Sequence, residues 1–577
     1  MLRIVARLFL VLAALSLPVA SFADPAPIIS DFATARPVLA THGMVVSQEA
    51  AASKIGLDIL KRGGNAVDAA VAVGFALAVT LPKAGNIGGG GFMLIHRADL
   101  KKTTAIDYRE SAPALTTKDV FLDANGEADP FKSRFSGLAI GVPGTVAGLE
   151  LAWRKYGSGN LTFADLVAPA ARLAHQGLTV DEDLADTLPV AAPLLAKHPS
   201  SARIYLKPDG KAPAPGDHIA LDDLAATLGA IAAGGADAFY RGPIAQKIVD
   251  AVRQAGGRMT LDDLANYRAV ERVPVRGTYR GYEIASMPPP SSGGVHVIEL
   301  LNILEGFPLR EQGLNSAASI HEMAEAEKLA YADRAAYLGD PDFVRIPLAG
   351  LTSKAYADHL RAEISPDRAR PPGEIQPGGP QRYESDQTTH FSIVDAEGNA
   401  VSNTYTLNFS YGSGLVAEGT GILLNNELDD FAAKPGAANA YGLLGGDANA
   451  PGPGKRPLSS MSPTFVFKDG KIALVTGSPG GSRIITTVLQ IILDVVDHGL
   501  NVAEAEAAPR VHDQGFPEEL RIERGISPDT IRLLEAMGHH VVVHEAMGSA
   551  NTIARNVDGV LMGASDPRQR GTLAVGY

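Results

Sequence analysis

The sequence contains no cysteine among its 577 residues. This absence excludes disulfide bonds, thiolate catalysis and zinc ribbons. The sequence also lacks internal repeats and long blocks of charge of one sign. Acidic side chains outnumber basic ones by 64 to 51, which gives a formal net charge of −13. Because nucleic acids and anionic membrane surfaces repel such a protein, we expect neither as a partner.

What is present indicates an exported globular protein. Hydrophobic residues make up 46% of the chain and charged residues 20%, which is enough to form a large core. Residues 1–23 have the pattern of a cleavable signal peptide, with Arg3 and Arg7 ahead of a short apolar run and a small-x-small site ending at Ala23. The apolar run is shorter than the roughly 18 residues that span a membrane. We therefore expect export to the periplasm and no membrane anchor.

The most informative stretch begins at Thr388. A segment rich in proline and glycine, residues 371–380, precedes it, and from Thr388 to Val394 the sequence has the alternation of a strand. Residues 395–399 have turn composition, and residues 400–407 predict the partner strand of a hairpin. A linker thus leads directly into a core strand that starts with a hydroxyl side chain.

Cleavage of the Gln387–Thr388 bond would turn this threonine into a catalyst. A threonine hydroxyl is a poor nucleophile without an adjacent base, and a free α-amine, with a pKa of about 7.7–8.0, can be that base. In the uncut chain the same nitrogen is an amide and accepts no proton. Paired threonines at a strand start are also ordinary β-propensity, so spacing alone does not decide for catalysis.

Nine short motifs occur in an order that resembles the γ-glutamyltranspeptidase family of N-terminal-nucleophile hydrolases. Those upstream of Thr388 resemble the large subunit of that family and those downstream its small subunit. They are residues 63–70, 88–93, 107–110 and 141–144 upstream, and 387–392, 405–408, 424–431, 457–463 and 476–481 downstream. The resemblance covers nearly the whole chain after residue 23.

The fold expected from the resemblance and from the element pattern is α+β, a four-layer αββα sandwich built from two autoprocessed subunits. Hairpin turns at 395–399, 469–470 and 558–559 predict antiparallel strands, and residues 482–498 predict a long helix. We expect cleavage to give a large subunit of residues 24–387 and a small subunit of residues 388–577. Both products contribute strands, so they should stay together as a heterodimer.

A γ-glutamyl donor carries a free α-amine and a free α-carboxylate, so its pocket needs charges of both signs. The resemblance implies that Glu427, Asp430 and the carbonyl of Asn408 bind the amine. Family members vary between Gln and Glu at the position of Glu427. A calcium site at this acidic loop is less favoured, because the oxygens lack the alternating spacing that calcium loops use.

For the α-carboxylate, the resemblance implies Arg109 with the hydroxyls of Ser459 and Ser460. Arg109 is expected at the end of a strand over residues 104–109. A surface arginine paired with Glu110 is the alternative, and composition does not choose between the two.

The remaining chemistry follows from the same resemblance. Thr388 would attack the γ-carbonyl, with its hydroxyl hydrogen-bonded to Thr406. Gly480 and Gly481, in a turn after a strand, would aim backbone N–H groups at the oxyanion. The acyl-enzyme would pass the γ-glutamyl group to water, an amino acid or a dipeptide. Glutathione and other γ-glutamyl compounds are the implied donors, and no cofactor or metal is expected.

Two other patterns resemble ligand-binding motifs. His321 and Glu322 resemble the start of a zinc helix, but the second histidine required four residues on is Glu325, so the motif fails. The glycine run 88–91 lacks the Lys-Ser/Thr of a phosphate loop, which favours close backbone packing. Elsewhere we expect helices over residues 48–62, 66–81 and 295–305, and a mostly helical segment from 145 to 350. Residues 288–294, just before the third of these helices, have the composition of a loop and cap and are expected to pack near the site.

Residues 435–446 follow the acidic loop and carry glycines at both ends with Tyr441 between them. The segment resembles the lid of some bacterial family members. The resemblance implies that Tyr441 closes over the bound donor, whereas composition alone favours an ordinary surface loop.

Three alternative functions remain open at this point. A cephalosporin or glutaryl acylase of the same architecture would share processing at Thr388 but need not keep the amine-binding carboxylate. A serine hydrolase using Ser459 or Ser460 is disfavoured, because no Gly-x-Ser-x-Gly elbow surrounds them. A periplasmic binding protein would not be cut into two chains.

Overall fold

The computed structural model describes residues 33–375, 387–434 and 446–577, with the backbone but not the side chains of Gln387 and Thr388. The expected signal peptide, most of the linker and Tyr441 lie outside the described residues. Within the described ranges, no helix is long and apolar enough to cross a membrane.

The predicted hairpin lies at the centre of an antiparallel sheet of seven strands, here called the first sheet. Its strands are, in spatial order, Leu573–Gly576, Met44–Ser47, Gln387–Val394, Ala400–Asn408, Gly90–Arg97, Lys102–Asp107 and Val270–Arg272. The strand prediction after the linker and its hairpin partner are therefore confirmed.

A second antiparallel sheet, also of seven strands, carries the other two predicted hairpins. In spatial order its strands are Val38–Ala40, Leu561–Ser565, Asn551–Arg555, Lys471–Thr476, Thr464–Lys468, Tyr282–Ser286 and Val275–Tyr279. Both sheets combine strands from before and after residue 388.

Buried polar side chains connect the two sheets. Ser392 Oγ donates to Asn551 O at 2.8 Å, and Ser402 Oγ donates to Thr476 O at 2.9 Å. Asn551 Nδ2 donates in return to His390 O at 3.0 Å. These bonds satisfy groups that would otherwise be buried without partners, and they fix the hairpin strands against the second sheet.

The helix Ala66–Thr80 begins and ends close to where the sequence predicts. Asn65 is its N-cap and accepts from the N–H groups of Val67 and Asp68, while Asp68 accepts from the Asn65 N–H in a capping box. Every residue of the helix is buried. Tyr405 OH donates to Gly74 O at 3.0 Å, which joins this helix to the first sheet.

Two further predicted helices, Gly293–Leu304 and Arg483–Val496, share one hydrophobic core with strands of the second sheet. The other helices in the described ranges are Ala50–Lys61, Pro130–Arg134, Thr145–Tyr156, Phe163–Gln176, Glu182–Leu195, Pro199–Tyr205, Asp222–Gly234, Ala236–Tyr240, Gly242–Gln254, Leu261–Asn266, Leu309–Gln312, Ala317–Tyr337, Leu348–Leu351, Lys354–Arg361, Val502–Ala507 and Pro528–Ala536. Short 3-10 turns occur at Gly137–Ala139, Pro372–Glu374, Glu427–Asp430 and Asp447–Asn449. The fold is thus mixed α/β with antiparallel sheets, as expected.

The middle of the chain is less purely helical than the sequence suggests. Residues 270–286 supply three strands to the two large sheets. Two of these strands lie at sheet edges, where side chains are half exposed and the apolar alternation is weak. Three smaller sheets pair Leu178–Thr179 with His218–Ile219, Val416–Ala417 with Ile422–Leu423, and Leu520–Ile522 with both Val511–His512 and Val541–Val543.

Candidate active site

Thr388 lies at an irregularity in the central hairpin. Gln387 is opposite Asn408, and Thr389 is opposite Tyr405, so Thr388 alone opposes Thr406 and Leu407. Such a β-bulge locally changes the direction of a strand, and bulges are over-represented next to active sites. The backbone register brings Thr406 to the level of Thr388.

Thr406 and Asn408 hold the end of the partner strand in an unusual conformation. Thr406 Oγ1 accepts from Asn408 N at 2.8 Å. Asn408 has a φ of +75°, in the left-handed region that asparagine tolerates better than most residues. Its Nδ2 donates to Asn426 O at 3.0 Å, which ties the strand end to the residue before Glu427.

The glycine run 88–91 packs directly on this strand. A Cβ at Gly89 would lie 2.1 Å from Thr406 O, and one at Gly88 would lie 2.0 Å from Leu423 O. Only glycine permits such an approach of two backbones. The prediction that this run serves backbone packing is confirmed.

Arg109 forms the charged centre of the site. It lies two residues after the strand Lys102–Asp107, and its side chain is 1% exposed. Nη1 donates to the carboxylate of Glu427 and Nη2 to that of Asp430. Nε and Nη2 also donate to the carbonyls of Pro457 and Leu458, at 3.1 and 3.3 Å. The structure therefore brings Arg109 together with both expected acids and with the segment that leads into Ser459.

This arrangement differs in one respect from the expectation. The sequence assigned Arg109 to the donor carboxylate and the two acids to the donor amine, as separate halves of a pocket. In the structure these residues pair with one another. The physical reason is burial, since a charged side chain removed from water needs a partner of opposite sign.

A third buried acid, Glu110, accompanies the cluster. Burial raises the pKa of Glu110 to about 7, although Arg109 opposes the rise. Burial also raises the pKa of Glu427 well above its ordinary value, more than Arg109 lowers it, and Glu110 and Asp430 add to the rise. For Arg109, burial acts to lower the pKa, but Glu427, Asp430 and Glu110 together raise it. Three carboxyl groups thus face one guanidinium in a dry environment.

Ser459 and Ser460 are buried beside this cluster and are fixed by a loop that the sequence places near the site. Ser459 O accepts from Ser292 N at 2.7 Å and from Ser292 Oγ at 2.8 Å. Ser459 Oγ accepts from Met461 N at 3.1 Å, and Ser460 Oγ lies 3.5 Å from Ser292 Oγ. The expectation that residues 288–294 pack near the site is confirmed.

Gly480 and Gly481 lie in the turn between the strand Lys471–Thr476 and the helix Arg483–Val496. Their φ angles are +131° and +60°, which only glycine adopts easily in this combination. Their carbonyls accept from the first N–H groups of the helix, Arg483 N and Ile484 N, both at 3.1 Å. The turn therefore stands at the positive end of a helix dipole, which favours a developing negative charge.

His390 connects this turn with the strand of Thr388. A Cβ at Gly477 would lie 2.4 Å from the His390 ring. The ring contacts Thr404 Oγ1 at 2.9 Å and Ser392 Oγ at 3.0 Å, and burial lowers the pKa of His390 to about 3. A neutral imidazole thus packs between the strand of Thr388 and the residue that follows the strand Lys471–Thr476.

Asn449 links two parts of the site and was not found from the sequence. Its Nδ2 donates to Asp430 O at 2.7 Å, and its Oδ1 accepts from Leu458 N at 3.0 Å. A lone asparagine in a polar loop carries no signal in the sequence that could have identified Asn449.

Glu110 was also missed as a buried group, because the sequence suggested at most a surface pair with Arg109.

Comparison with known proteins finds relatives over nearly the whole chain. A family model described as gamma-glutamyltranspeptidase matches residues 52–576. A glutathione hydrolase proenzyme of Escherichia coli (strain K12) is 56% identical over 562 residues, which cover 97% of this chain and 96% of that protein. The crystal structure of a cephalosporin acylase from Bacillus halodurans is similar with a TM-score of 0.84 and 29% identity, over 97% of this chain and 99% of that one. A Helicobacter pylori gamma-glutamyltranspeptidase chain is 43% identical with a TM-score of 0.56, over 61% of this chain and 97% of its own length.

Proposed function

The chain belongs to the γ-glutamyltranspeptidase family, and from this premise we propose which of its residues carry out the reaction. It is a glutathione hydrolase and γ-glutamyltransferase that is made as a proenzyme and processes itself. The donor's γ-glutamyl group is transferred to the enzyme and then to water or to an acceptor amine.

Maturation creates the nucleophile. The hydroxyl of Thr388 attacks the carbonyl of Gln387, and hydrolysis of the resulting ester leaves residues 24–387 and 388–577 as two chains. Thr388 then carries both a hydroxyl and a free α-amine that takes its proton. The bulge at Thr406 and Leu407 supports this assignment, because it interrupts the regular pairing of the two strands opposite Thr388.

Donor recognition uses the buried ion cluster. Glu427, Asp430 and the carbonyl of Asn408 accept from the donor's α-ammonium. The donor's ammonium replaces Arg109 as the partner of the two acids, so that each charge keeps an opposite one at every stage.

Arg109, now released, meets the donor's α-carboxylate together with the hydroxyls of Ser459 and Ser460. Its bonds to the carbonyls of Pro457 and Leu458 support this assignment, because they already hold the guanidinium beside the two serines.

The chemical steps follow from these positions. Thr388 Oγ attacks the γ-carbonyl of the donor, its proton passes to the α-amine, and the oxyanion is stabilised by backbone N–H groups of Gly480 and Gly481. The amide C–N bond breaks and the amine leaves with that proton, while the hydroxyl of Thr406 orients Thr388. Water or an acceptor amine then attacks the ester and regenerates Thr388, which gives ping-pong kinetics.

The finer architecture is part of the same proposal. The contacts between the two sheets, and the helices that pack beside each, support a four-layer sandwich shared by a heterodimer. The Helicobacter pylori chain matches 61% of this chain over nearly its full length, a share that fits a large subunit of residues 24–387. The pattern of residues 1–23 supports periplasmic export.

The observation that carries the proposal is the buried Arg109 held between Glu427 and Asp430 beside Ser459. The test compares γ-glutamyl-p-nitroanilide with glutaryl-p-nitroanilide, which differs only in lacking the α-amine. Loss of a charge-paired ammonium costs about 2–5 kcal/mol, so the glutaryl compound should be cleaved at least about 30-fold less efficiently. Glycylglycine should increase p-nitroaniline release from the γ-glutamyl compound. Equal cleavage of both compounds would support the alternative function of an acylase. The structural similarity to a cephalosporin acylase is the observation that favours this alternative.

A further inference from the structure

The helix that fails as a zinc motif in the sequence has its second histidine supplied by a distant part of the chain. His321 and Glu325 are one turn apart on the helix Ala317–Tyr337, so they share a face. His539 follows the helix Pro528–Ala536, and its Nε2 lies 2.7 Å from His321 Nδ1. All three side chains are buried, and one ligand atom of each lies within 4.8 Å of the others.

The surroundings of His321 orient its ring as a metal ligand is oriented. His321 Nε2 lies 2.7 Å from the carbonyl of Ser365, so this nitrogen carries the proton and donates it. The tautomer leaves a lone pair on Nδ1, directed at His539. Metal-binding histidines characteristically donate their second ring N–H to a backbone carbonyl in this manner.

Glu325 keeps one oxygen available. Its Oε1 is paired with Lys328 Nζ at 2.6 Å, whereas Oε2 has in the described part of the chain only a long bond of 3.3 Å from Arg370 N. That N–H reaches Oε1 as well, at 3.2 Å. Lys328 Nζ also donates to Arg370 O at 2.5 Å and would keep that bond with an ion on the other oxygen.

We propose that His321 Nδ1, His539 Nε2 and Glu325 Oε2 form a site for a divalent transition-metal ion of the zinc class. Two histidines and one glutamate form a known zinc ligand set, with water as the fourth ligand. Tetrahedral ligands held at about 2.0–2.1 Å are roughly 3.3 Å apart. The two rings must therefore separate by about 0.6 Å from their present contact. The alternative is a plain N–H···N hydrogen bond between the two imidazoles.

The position of the site suggests what the ion would do. Ser365 and Arg370 belong to the last described segment before Gln387, and Ala369 N donates to Met537 O at 2.7 Å in the same region. If the chain is cut before Thr388, which rests on the function proposed above, the ion joins the end of the large subunit to the small subunit. Binding itself does not depend on cleavage, so the two proposals fail separately.

The experiment uses the full purified protein after chelator treatment and dialysis. We expect one Co²⁺ per chain with the visible absorption of a tetrahedral site, and Zn²⁺ should displace it. His321→Gln and His539→Gln should each weaken Zn²⁺ binding by more than the roughly 10–100-fold that loss of an outer partner costs. Glu325→Gln should weaken it by at least about 10-fold.

A matched control exists in the chain. His359 and Glu363 have the same spacing at the end of the helix Lys354–Arg361, 3.6 Å apart, and belong to no three-residue metal cluster in the described part of the chain, so His359→Gln should bind as the wild type does. Zn²⁺ should also raise the thermal midpoint of the wild type and of this control, but not of the His539→Gln protein. Anomalous diffraction from crystals soaked in Zn²⁺ locates the ion even if a variant fails to fold. No binding by the wild type, equal affinity in all variants, or an ion at another position would overturn the proposal.

Discussion

Arg109 donates to the carboxylate of Asp430 although 321 residues separate them in the chain. Both side chains are buried, and the second amino group of the same guanidinium is taken by Glu427. In the function proposed above, a donor with its own ammonium and carboxylate binds by exchanging partners with this cluster. The binding free energy of the donor would therefore depend on the difference in free energy between two sets of buried ion pairs, those with the donor bound and those without it.

Removal of one acid should alter donor recognition without affecting maturation. Asp430→Asn keeps the shape of the side chain but removes the charge that we propose binds the donor's ammonium. We expect kcat/KM for γ-glutamyl-p-nitroanilide to fall. The fall should correspond to a loss of about 2–5 kcal/mol of transition-state stabilisation. Cleavage at Thr388 should proceed normally, because the ammonium is absent from that reaction.

Asp429 provides the control for this change. It is buried in the same 3-10 turn, but its partner is Arg134 at 3.5 Å and not Arg109. Asp429→Asn should therefore affect kcat/KM much less. Equal losses in the two variants would mean that the turn, and not the charge of Asp430, is what the donor requires.

Self-processing should depend on one of two adjacent threonines. Thr388→Ala removes the hydroxyl that attacks Gln387, so the protein should migrate as a single uncut chain on a denaturing gel. Thr389→Ala is the matched control, because Thr389 is buried and its Oγ1 has no hydrogen-bond partner in the described part of the chain. This variant should still give two chains. Two bands from Thr388→Ala would contradict the proposed nucleophile.

Glu110 should make stability depend on pH. Its pKa rises from 4.5 to about 7 on folding, mainly through burial. Since the folded value is the higher one, its contribution to stability is complete below about pH 4.5 and is lost as the pH rises through 7. The shift corresponds to a loss on the order of 3 kcal/mol.

Glu110→Gln removes this ionisation. The stability of the variant relative to the wild type should therefore increase steadily between pH 4.5 and 8, as thermal midpoints over that range would report. Glu397→Gln, in the exposed turn of the central hairpin, should leave the pH profile of the wild type unchanged. Parallel profiles for the wild type and Glu110→Gln would show that Glu110 titrates at its ordinary pH.

The parts that the sequence predicts well are local. The hairpin around residues 395–399 follows from alternation and turn composition, and the cap at Asn65 follows from one side chain and its next three neighbours. The contact of Arg109 with Glu427 spans 318 residues and has no local signal. The resemblance to a family assigns both residues to one pocket, but only the structure reveals that they neutralise each other.

Glu110 and His539 illustrate the same limit. The sequence pattern predicts an exposed position for a glutamate that follows a short strand. Glu110 is buried because Gly90 and Gly141, which have no side chains, leave room for it. His539 becomes a candidate metal ligand only because the fold places it against His321. Neither property follows from spacing along the chain.

Asn449 contacts both the acidic turn and the segment before Ser459 through its one side-chain amide. Asn449→Ala removes the bond to Asp430 O and the bond from Leu458 N. The acidic turn and the segment before Ser459 would then no longer be held at a fixed distance from each other. We expect the KM for the donor to rise severalfold while kcat at saturation changes little, because the bonds of this side chain in the described residues go to Asp430 and Leu458 and not to groups proposed for the chemical step. Asn302→Ala is a suitable control, since it also removes a buried amide bond, to Thr352 O at 2.9 Å, on another helix. A fall in kcat with unchanged KM would assign Asn449 to the chemical step and not to the spacing of the pocket.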